Sequence, residues 1–454
     1  MRLCHKLRRR QSAAGKIPLF YRNGVPACLI LRGCKHGRAG EDFVSSGGFA
    51  IMPLLPTGLT VSAYPPSSFL FRLTVAFIGA LAFMQVYSIQ SILPLLMRHF
   101  QADEVQIGLA VGVTVMGMGL MSPFIGMLSD AFGRRWMICS AIFFYSLPVA
   151  LSAYAPTIES FTLLRFLVGV FVPGMTVCLI AYLGEEFESK HIGKLMAFYV
   201  CGTVFGGFSG RFLLGHLTQW IGWQFSMLLL SGLSFAGFLL VLWQLPPSRH
   251  FVAKPQLSTA MRSLVSHLHN RIVLSSCALG FFVLFSLVGC FSFINLRLAQ
   301  APYHLNTAQL ANIFSVYLIG MIITPAATWL LRKFGAPRTM ALSLALSVCG
   351  IVISLAQPLM LVFCGLILMS TGVFITQSAT ISYISLHVRE GRSLATGLYY
   401  MAYYCGGTAG AWLCALSFQT WQWQGVVGTL LLAQCIGLII IFSVIWQTSP
   451  RAQG

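Results

Sequence analysis

Twelve long apolar segments constrain the fold of this 454-residue chain more than any other feature of its sequence. A helix needs about 20 mostly apolar residues to cross the hydrocarbon core of a bilayer. Only 9% of the residues are charged, whereas soluble domains carry about 25% charged residues. The sequence therefore predicts an all-α membrane protein. Its twelve predicted transmembrane helices, called spans 1 to 12, lie at 72–97, 105–128, 136–154, 158–183, 195–215, 223–245, 272–296, 309–331, 339–356, 359–385, 394–417 and 425–446.

One polar stretch divides the twelve spans into two groups of six. Residues 246–271 hold four basic residues and three prolines, a composition that favours a loop over a span. We therefore predict an N-terminal six-helix half at 72–245, a central cytoplasmic loop at 246–271, a C-terminal six-helix half at 272–446 and a cytoplasmic tail at 447–454.

Residues 1–71 form a basic and Pro-rich N-terminal extension, and its first part, 1–51, holds ten basic residues against two acidic ones. Three explanations stay open for that first part. The first is a basic cytoplasmic tail. The second is an organellar targeting segment, which would be rich in arginine and poor in acids. The third is an over-long gene model whose true start is Met52. We favour the third, under which a large part of the formal charge of +19 does not belong to the protein.

The placement of lysine and arginine predicts how the chain is oriented in the membrane. Cytoplasmic loops of membrane proteins carry an excess of these residues. If both termini are cytoplasmic, the loops on that side collect most of the basic residues beyond the extension, and the opposite loops hold only Arg98 and Arg297. We therefore predict a multi-pass protein of the cell (inner) membrane with both termini in the cytoplasm.

The two halves of the chain resemble each other. Residues 199–210 of span 5 and 399–410 of span 11 share three glycines at a spacing of 200. A Phe-Gly pair ending at Gly133, after span 2, recurs at Gly335, after span 8. Two six-span halves of this kind are a known transporter architecture, with the substrate site between the halves near the middle of the membrane.

The loop between spans 2 and 3 carries the most specific motif, which reads Gly-Met-Leu-Ser-Asp-Ala-Phe-Gly-Arg-Arg over 126–135. It resembles the signature of the major facilitator superfamily in the same loop and matches it at every defined position. The resemblance extends over all twelve spans. It implies a conformational latch that keeps the cytoplasmic side closed, with a carboxylate held near the start of span 11, where the helix dipole favours it. The latch residues are Gly126, Asp130, Gly133, Arg134 and Arg135.

Two arginines lie inside predicted spans, where an ionised side chain is costly and usually has a partner or a function. Arg165 in span 4 begins Arg-Phe-Leu-Val-Gly, which resembles a second motif of the superfamily, and Glu159 is a candidate partner for it. Two interpretations of Arg211 in span 5 stay open: a charge that faces the substrate, or a side chain that extends to the membrane interface. Arg297, at the outer end of span 7, is a third candidate charge.

Span 5 holds Gly202, Gly206 and Gly210 at four-residue spacing. This spacing makes a smooth helix face on which another helix packs closely. The stretch also resembles the antiporter motif of the efflux branches of the superfamily. It departs from that motif because Gly207 stands where proline is usual and Arg211 stands where the last glycine is usual.

Residues 182–186 after span 4 and 248–251 after span 6 resemble one bacterial inner-membrane subgroup, the YnfM-type transporters. That subgroup is drug:proton antiporter-like or sugar-efflux-like. The resemblance implies a secondary active exporter of a small organic solute, linked to protons and working by alternating access as a monomer in the lipid bilayer. An importer or facilitator of sugars or organic anions, and a non-transporting membrane sensor, stay open as alternatives. Because no ATP-binding loop or enzyme constellation occurs, the sequence predicts no enzyme, no cofactor, no metal and no nucleic-acid partner.

Uncharged polar side chains within the spans are candidates for lining a substrate cavity. The acidic residues lie in the extension, in loops or near span ends, so the arginines inside the spans lack an evident counter-charge. A positive cavity favours anionic or neutral hydrogen-bonding solutes over cations. Amide and tyrosine side chains suit a small solute with one apolar face. The candidates are Gln85, Gln90, Asn295, Gln377, Tyr383, Tyr399 and Tyr403.

Overall fold

The computed structural model describes residues 68–248, 269–388 and 392–445. The predicted N-terminal extension, most of the central loop and the C-terminal tail lie outside these ranges. Helices account for nearly all of the described residues. The α-helices are Phe69–Met84, Leu93–Phe100, Glu104–Phe132, Arg134–Ser152, Ile158–Glu186, Ser189–Gln244, Arg271–Ala299, Thr307–Ile313, Ile319–Phe334, Ala336–Ile353, Leu359–His387 and Arg392–Ile440. The 3₁₀ segments Ser88–Ile92 and Phe314–Leu318 interrupt spans 1 and 8, and the π-helical turn Ile441–Ile445 ends span 12.

Two of these helices are too long for a single crossing of the membrane. The helix of 56 residues that begins at Ser189 would extend about 84 Å at 1.5 Å per residue, whereas a bilayer core is about 30 Å thick. It contains non-helical backbone at Gly222, and the helix that begins at Arg392 contains it at Trp421 and Gln422. Each therefore supplies two spans, 5 with 6 and 11 with 12. Spans 1 and 8 each join two short helices through a 3₁₀ segment, and the prediction of a twelve-span all-α membrane protein is confirmed.

The bundle has two ends, which we name by their loops. The motif end is where spans 2 and 3 meet at Gly133, and the distal end is where spans 1 and 2 meet at residues 101–103. Spans 2, 4 and 8 begin at the distal end with capping boxes. In each, the side chain of the N-cap residue accepts from the backbone N–H of the third helical residue, and the side chain of that residue accepts from the N-cap N–H. The N-cap residues are Asp103, Thr157 and Asn306. The predicted orientation places the motif end in the cytoplasm.

Glycine is required at two equivalent turns of the motif end. Gly133, between spans 2 and 3, has φ 91°, and Gly335, between spans 8 and 9, has φ 76°. Residues with a side chain rarely adopt such angles. The two positions are 202 residues apart in the chain, so the internal repeat of the sequence is also a repeat of backbone conformation.

The glycines of span 5 lie directly against the backbone of span 1. A Cβ added at Gly206 would overlap the backbone of Ala80, and a Cβ added at Gly210 would overlap that of Met84. Gly202 makes the same approach one turn away. Span 11 packs on span 7 in the same way, through the glycines found 200 residues later. Spans 1 and 5 therefore pack backbone to backbone, and span 5 cannot shift without displacing span 1.

Candidate functional site

Span 1 is broken near its middle. Its two parts, Phe69–Met84 and Ser88–Phe100, are bent by 46° relative to each other. Pro94 lies in the first turn of the helix Leu93–Phe100 and has no N–H, so it cannot bond the carbonyl of Gln90 four residues earlier. A broken helix is tolerated inside a membrane only where the rest of the protein satisfies its free backbone groups. Side chains from spans 3, 4 and 7 do so here.

Arg165 of span 4 satisfies the carbonyls on the first side of the break. Its side chain is fully buried, and its Nη2 donates to the carbonyls of Gln85 at 2.5 Å and Val86 at 2.9 Å. These carbonyls end the first helix of span 1, where the helix dipole favours a cation. Glu159, the candidate partner from the sequence, is exposed at the distal end. Backbone carbonyls, and not this carboxylate, hold Arg165.

Tyr145 of span 3 holds the same turn of span 1. Its hydroxyl accepts from the N–H of Gln85 at 3.1 Å and donates to the carbonyl of Leu81 at 2.8 Å. Together with Arg165, it satisfies both backbone groups of Gln85. The side-chain Nε2 of Gln85 is buried and has no hydrogen-bond partner among the described residues.

Arg211 of span 5 lies in a cage of aromatic rings. Its Cζ is 4.7 Å from the ring centroid of Tyr87, 4.6 Å from that of Phe314 and 4.3 Å from that of Tyr317. Tyr87 belongs to the break in span 1, and the other two rings belong to the 3₁₀ segment of span 8. Desolvated cation–π contacts of this kind are worth about 2 kcal/mol. The side chain of Arg211 is fully buried, so it does not extend to the membrane interface.

Gln90 of span 1 connects the two halves of the protein. Its Oε1 accepts from Nε of Arg211 at 2.8 Å, and its Nε2 donates to Oγ of Ser292 at 2.9 Å. Its backbone carbonyl, which Pro94 leaves free, accepts from Nδ2 of Asn295 at 2.6 Å. Ser292 and Asn295 are three residues apart and share one face of span 7. Both the side chain and the backbone of Gln90 therefore bind the opposite half.

Two further hydrogen bonds join the halves in the distal part of the bundle. Oγ1 of Thr408 in span 11 donates to the carbonyl of Gly112 in span 2 at 3.0 Å. The ring Nε2 of His216 in span 5 lies 2.9 Å from Oδ1 of Asn312 in span 8. Like the bonds of Gln90, these contacts would have to break for the two halves to separate there.

Several polar atoms around the break are buried and have no hydrogen-bond partner within the described parts of the chain. They are Nε and Nη1 of Arg165, Nε2 of Gln85, Nη2 of Arg211, Oδ1 of Asn295 and the hydroxyl of Tyr317. Four of these six atoms can only donate and one can only accept. Neither guanidinium bonds a carboxylate among the side chains that the structure describes. Because an uncompensated buried cation is costly, the region favours a ligand rich in acceptors.

The predicted latch residues lie together at the motif end. Arg134 donates to both carboxylate oxygens of Glu185 at the end of span 4, with Nη2 and Oε1 2.6 Å apart. Nη2 of Arg135 donates to the carbonyl of Leu242 at the end of span 6, at 2.7 Å. These bonds tie the loop to spans 4 and 6 of its own half. The side chain of Asp130 lies outside the described residues.

The two glycines of the proposed latch differ in backbone angle and in the space around them. Gly133 has the positive φ described above, which excludes other residues without strain. A Cβ added at Gly126 would find its nearest neighbour, Cγ1 of Val177, at an ordinary contact distance of 3.8 Å. Gly126 therefore does not lie against the backbone of another described helix.

The remaining cavity candidates lie in different places. Tyr399 and Tyr403 of span 11 stack on each other with ring centroids 5.9 Å apart, and both are buried. Tyr383 instead packs into a core formed by spans 7, 9, 10 and 12 of the C-terminal half, away from the break in span 1. Gln377 of span 10 is half-buried. Of the seven candidates, Gln85, Gln90 and Asn295 are the ones that the structure brings together at the break.

Arg297, the third candidate charge, has its donors engaged elsewhere. It donates to the carbonyl of Ala356 at 2.9 Å and to those of Ser354 and Leu355, all at the end of span 9. A cation at the C-terminal end of a helix is favoured by the helix dipole. Of the three candidate charges, Arg165 and Arg211 are therefore the ones that bring positive charge to the break.

Sequence reasoning missed four residues of this site: Tyr87, Tyr145, Ser292 and Phe314. A signal existed for Tyr145, because a tyrosine in the middle of a span needs a partner for its hydroxyl. Ser292 lies three residues from the candidate Asn295, which placed it on the same helix face. Nothing in the sequence distinguished Phe314 from the other 34 phenylalanines of the chain.

Comparison with known proteins identifies the family. A family model described as "Major Facilitator Superfamily" matches residues 75–411, about three quarters of the chain. The chain belongs to the major facilitator superfamily. Its resemblance to this superfamily, noted from the sequence motifs, is thereby confirmed.

Relatives of this major facilitator protein match it over most of their length. "Uncharacterized MFS-type transporter YybF" of Bacillus subtilis (strain 168) is 28% identical over 360 residues, which are 79% of this chain and 89% of the relative. "Inner membrane transport protein YnfM" of Escherichia coli (strain K12) is 28% identical over 374 residues, 81% of this chain and 89% of the relative. A solved bacterial homolog of the human lysosomal transporter Spinster, inward-facing and occupied, shares the fold with a TM-score of 0.71 at 16% identity, over 86% of this chain and 99% of that one. The chain is thus a multi-pass membrane transporter by family and not an enzyme.

Proposed function

We propose that this chain moves a small organic solute by secondary active transport, and that the solute binds at the break in span 1. The cluster of buried polar atoms at that break that have no hydrogen-bond partner among the described residues carries the proposal. Spans 1, 4 and 5 of one half and spans 7 and 8 of the other supply those atoms. A solute bound there contacts both halves, as alternating access around a central site requires.

The hydrogen bonds of the distal part support this mechanism. For the distal side to open, Gln90 must release Ser292 and Asn295, and His216 must release Asn312. A ligand shifts such an equilibrium only through a difference in its interaction with the two states. A solute that bonds the buried donors while Gln90 and Asn295 separate would offset the lost contacts, so we propose that binding promotes the opening of the distal side.

We further propose that the transport is export, coupled to inward movement of protons. Support for this comes from the resemblance of span 5 to the antiporter motif, whose glycines here pack against the part of span 1 that precedes the break. Inside-out membrane vesicles with an imposed pH gradient test it, because an exported solute accumulates in them and dissipates the gradient. Vesicles from cells that lack the protein are the control. If no solute in a broad screen does either, the export proposal fails, and uptake by whole cells would show import instead.

The proposed setting is the cell inner membrane, with a monomeric protein and its motif end and termini in the cytoplasm. The excess of arginine and lysine in the loops of that end supports this orientation. A reporter enzyme that is active only outside the cytoplasm, fused after Gly454, is expected to be inactive. The same reporter inserted after Ala301, in the loop between spans 7 and 8, is expected to be active.

Asp130→Asn is expected to abolish solute flux while leaving the protein folded and inserted. Asparagine keeps the shape of the side chain but removes the charge, on which the proposed latch at the start of span 11 depends. Initial flux in vesicles, divided by the amount of protein that elutes as a single peak in gel filtration, measures the effect. Glu104→Gln, at the other end of span 2, is the matched control and is expected to keep its flux. Unchanged flux in Asp130→Asn would remove the latch role.

A further inference from the structure

We infer that the transported solute carries a carboxylate, which Arg165, Gln85, Arg211 and Tyr317 bind at the break in span 1. The inference rests on the proposed function and names the substrate class of that site. It follows from three features of the break: its net charge, the kind of polar atoms that lack partners, and the rings that surround them.

Net charge is the first feature. Arg165 bonds the carbonyls of Gln85 and Val86, and the guanidinium of Arg211 lies over the ring of Tyr87. Three consecutive residues of span 1 thus contact two fully buried cations, and the acceptors of both are carbonyl or amide oxygens. Carbonyl dipoles offset only part of the cost of burying a charge. A bound anion would offset more of that cost by neutralising part of the buried positive charge.

The kind of unpartnered atom is the second feature. Nitrogen atoms of Arg165, Gln85 and Arg211 present N–H groups. The hydroxyl of Tyr317 lies close enough to interact with Arg211, and it can turn its own hydrogen toward a ligand as a further donor. A carboxylate accepts through two oxygens with about four lone-pair sites and donates nothing. A sugar hydroxyl can also accept from a guanidinium, but it brings no negative charge to offset the two buried cations, and a cation would be repelled. Hydrogen bonds between ionised partners are also roughly twice as strong as neutral ones.

The surrounding rings are the third feature. Tyr87, Phe314 and Tyr317 enclose Arg211, so its guanidinium is set among aromatic rings. Sites of this composition hold a small ligand by its apolar body and orient it through a few polar groups. Benzoate has both an aromatic body and a carboxylate. Benzamide has almost the same shape without the charge, and phenyl phosphate carries a different anion.

The experiment measures thermal unfolding of the purified full-length chain in detergent with each of these three probes. A ligand that binds the folded state raises Tm in a saturable, concentration-dependent way. Benzoate is expected to do so, and benzamide is expected to leave Tm unchanged. Stronger stabilisation by phenyl phosphate than by benzoate would overturn the assignment to a carboxylate.

Two conservative variants test the proposed donors without disturbing the backbone of the break. Tyr317→Phe keeps the ring over Arg211 and removes only the hydroxyl. Gln85→Leu removes only the side-chain amide, because the contacts of Gln85 with Arg165 and Tyr145 use its backbone. Loss of one hydrogen bond to a charged ligand corresponds to about tenfold weaker affinity, so each variant is expected to raise the apparent Kd for benzoate about tenfold.

Gln434→Leu is the matched control for Gln85→Leu. Gln434 in span 12 is also a buried amide without a partner among the described residues, but none of the contacts given above for the break involves span 12. Benzoate affinity is expected to stay unchanged in this variant. Equal losses in the variants at 85 and 434, or equal binding of benzoate and benzamide by the natural chain, would overturn the inference.

The proposed transport function and the assignment of a carboxylate can be contradicted independently of each other. If vesicles transport a neutral solute and the purified chain does not bind benzoate, the carboxylate assignment is wrong and transport stands. If benzoate binds with the predicted variant pattern but no solute crosses the membrane, the site stands and the transport function is wrong.

Discussion

Gly210→Val is expected to destabilise the protein by about 3 kcal/mol and to lower Tm by roughly 5 to 10 °C. A Cβ at this position would overlap the carbonyl oxygen of Met84, a backbone atom that no side-chain rotation can move away. Span 5 would have to separate from span 1 next to Arg211, whose bond to Gln90 depends on their close approach. The substitution should therefore also impair any activity that uses the break.

The control for this prediction is Gly232→Val in span 6. A Cβ at Gly232 has no neighbour within 4 Å, so the same change in side chain meets no obstacle there. The tryptophans of the chain allow Tm to be followed by intrinsic fluorescence. Equal Tm values for the variants at 210 and 232 would contradict backbone-to-backbone packing of spans 1 and 5.

Substitutions of Arg165 are expected to have the largest effect on transport. Arg165→Lys keeps the charge and can still donate to the carbonyls of Gln85 and Val86, but it loses the planar group whose Nε and Nη1 lack protein partners. We expect flux to fall about 10- to 100-fold with little change in Tm. Arg165→Leu also removes the donor to the carbonyl of Val86, at a cost of about 1–3 kcal/mol, and leaves the carbonyl of Gln85 with the hydroxyl of Ser88 as its remaining side-chain donor among the described residues. Both flux and Tm should therefore fall.

Comparing the two variants separates binding from folding. Flux is measured in vesicles and divided by the amount of folded protein, and Tm is measured on the same preparations. Arg98 is an exposed arginine at the distal end of span 1. Arg98→Lys is the control, because it makes the same replacement of arginine by lysine away from the break. If Arg165→Lys transports as well as the natural chain, Arg165 acts only on the structure of span 1 and does not contact the solute.

The twelve spans could be predicted because each depends on a local property, an apolar run of sufficient length. The glycine spacing of span 5 likewise predicted close packing from local information. It could not identify span 1 as the partner, because that pairing depends on how all the spans assemble. The same limit applies to Arg165. Its position inside a span showed that it needed a partner, but the carbonyls at the break become available only where span 1 is interrupted.

Some side chains could not be assigned to the site or to the core, because residues of the same type in similar spans face different neighbours in the folded protein. Tyr383 and Tyr399 are both tyrosines in spans of the C-terminal half. One packs inside that half and the other lies on span 11 in a stack of tyrosines. Gln90 and Asn295 were candidates individually, but their hydrogen bond joins positions 205 residues apart. A single sequence carries no signal for such a pair, so the site could be predicted only as a set of polar residues without its geometry.

The break in span 1 also has a consequence for the order of events during synthesis. Span 1 leaves the ribosome first among the spans, yet the carbonyl of Gln90 receives its donor from a residue 205 positions later. At about 5 to 20 residues per second, that donor is made roughly 10 to 40 seconds afterwards. Until then, the carbonyl of Gln90 that Pro94 leaves free has to find another donor, so the final geometry of the break is set only when the second half of the protein is being translated.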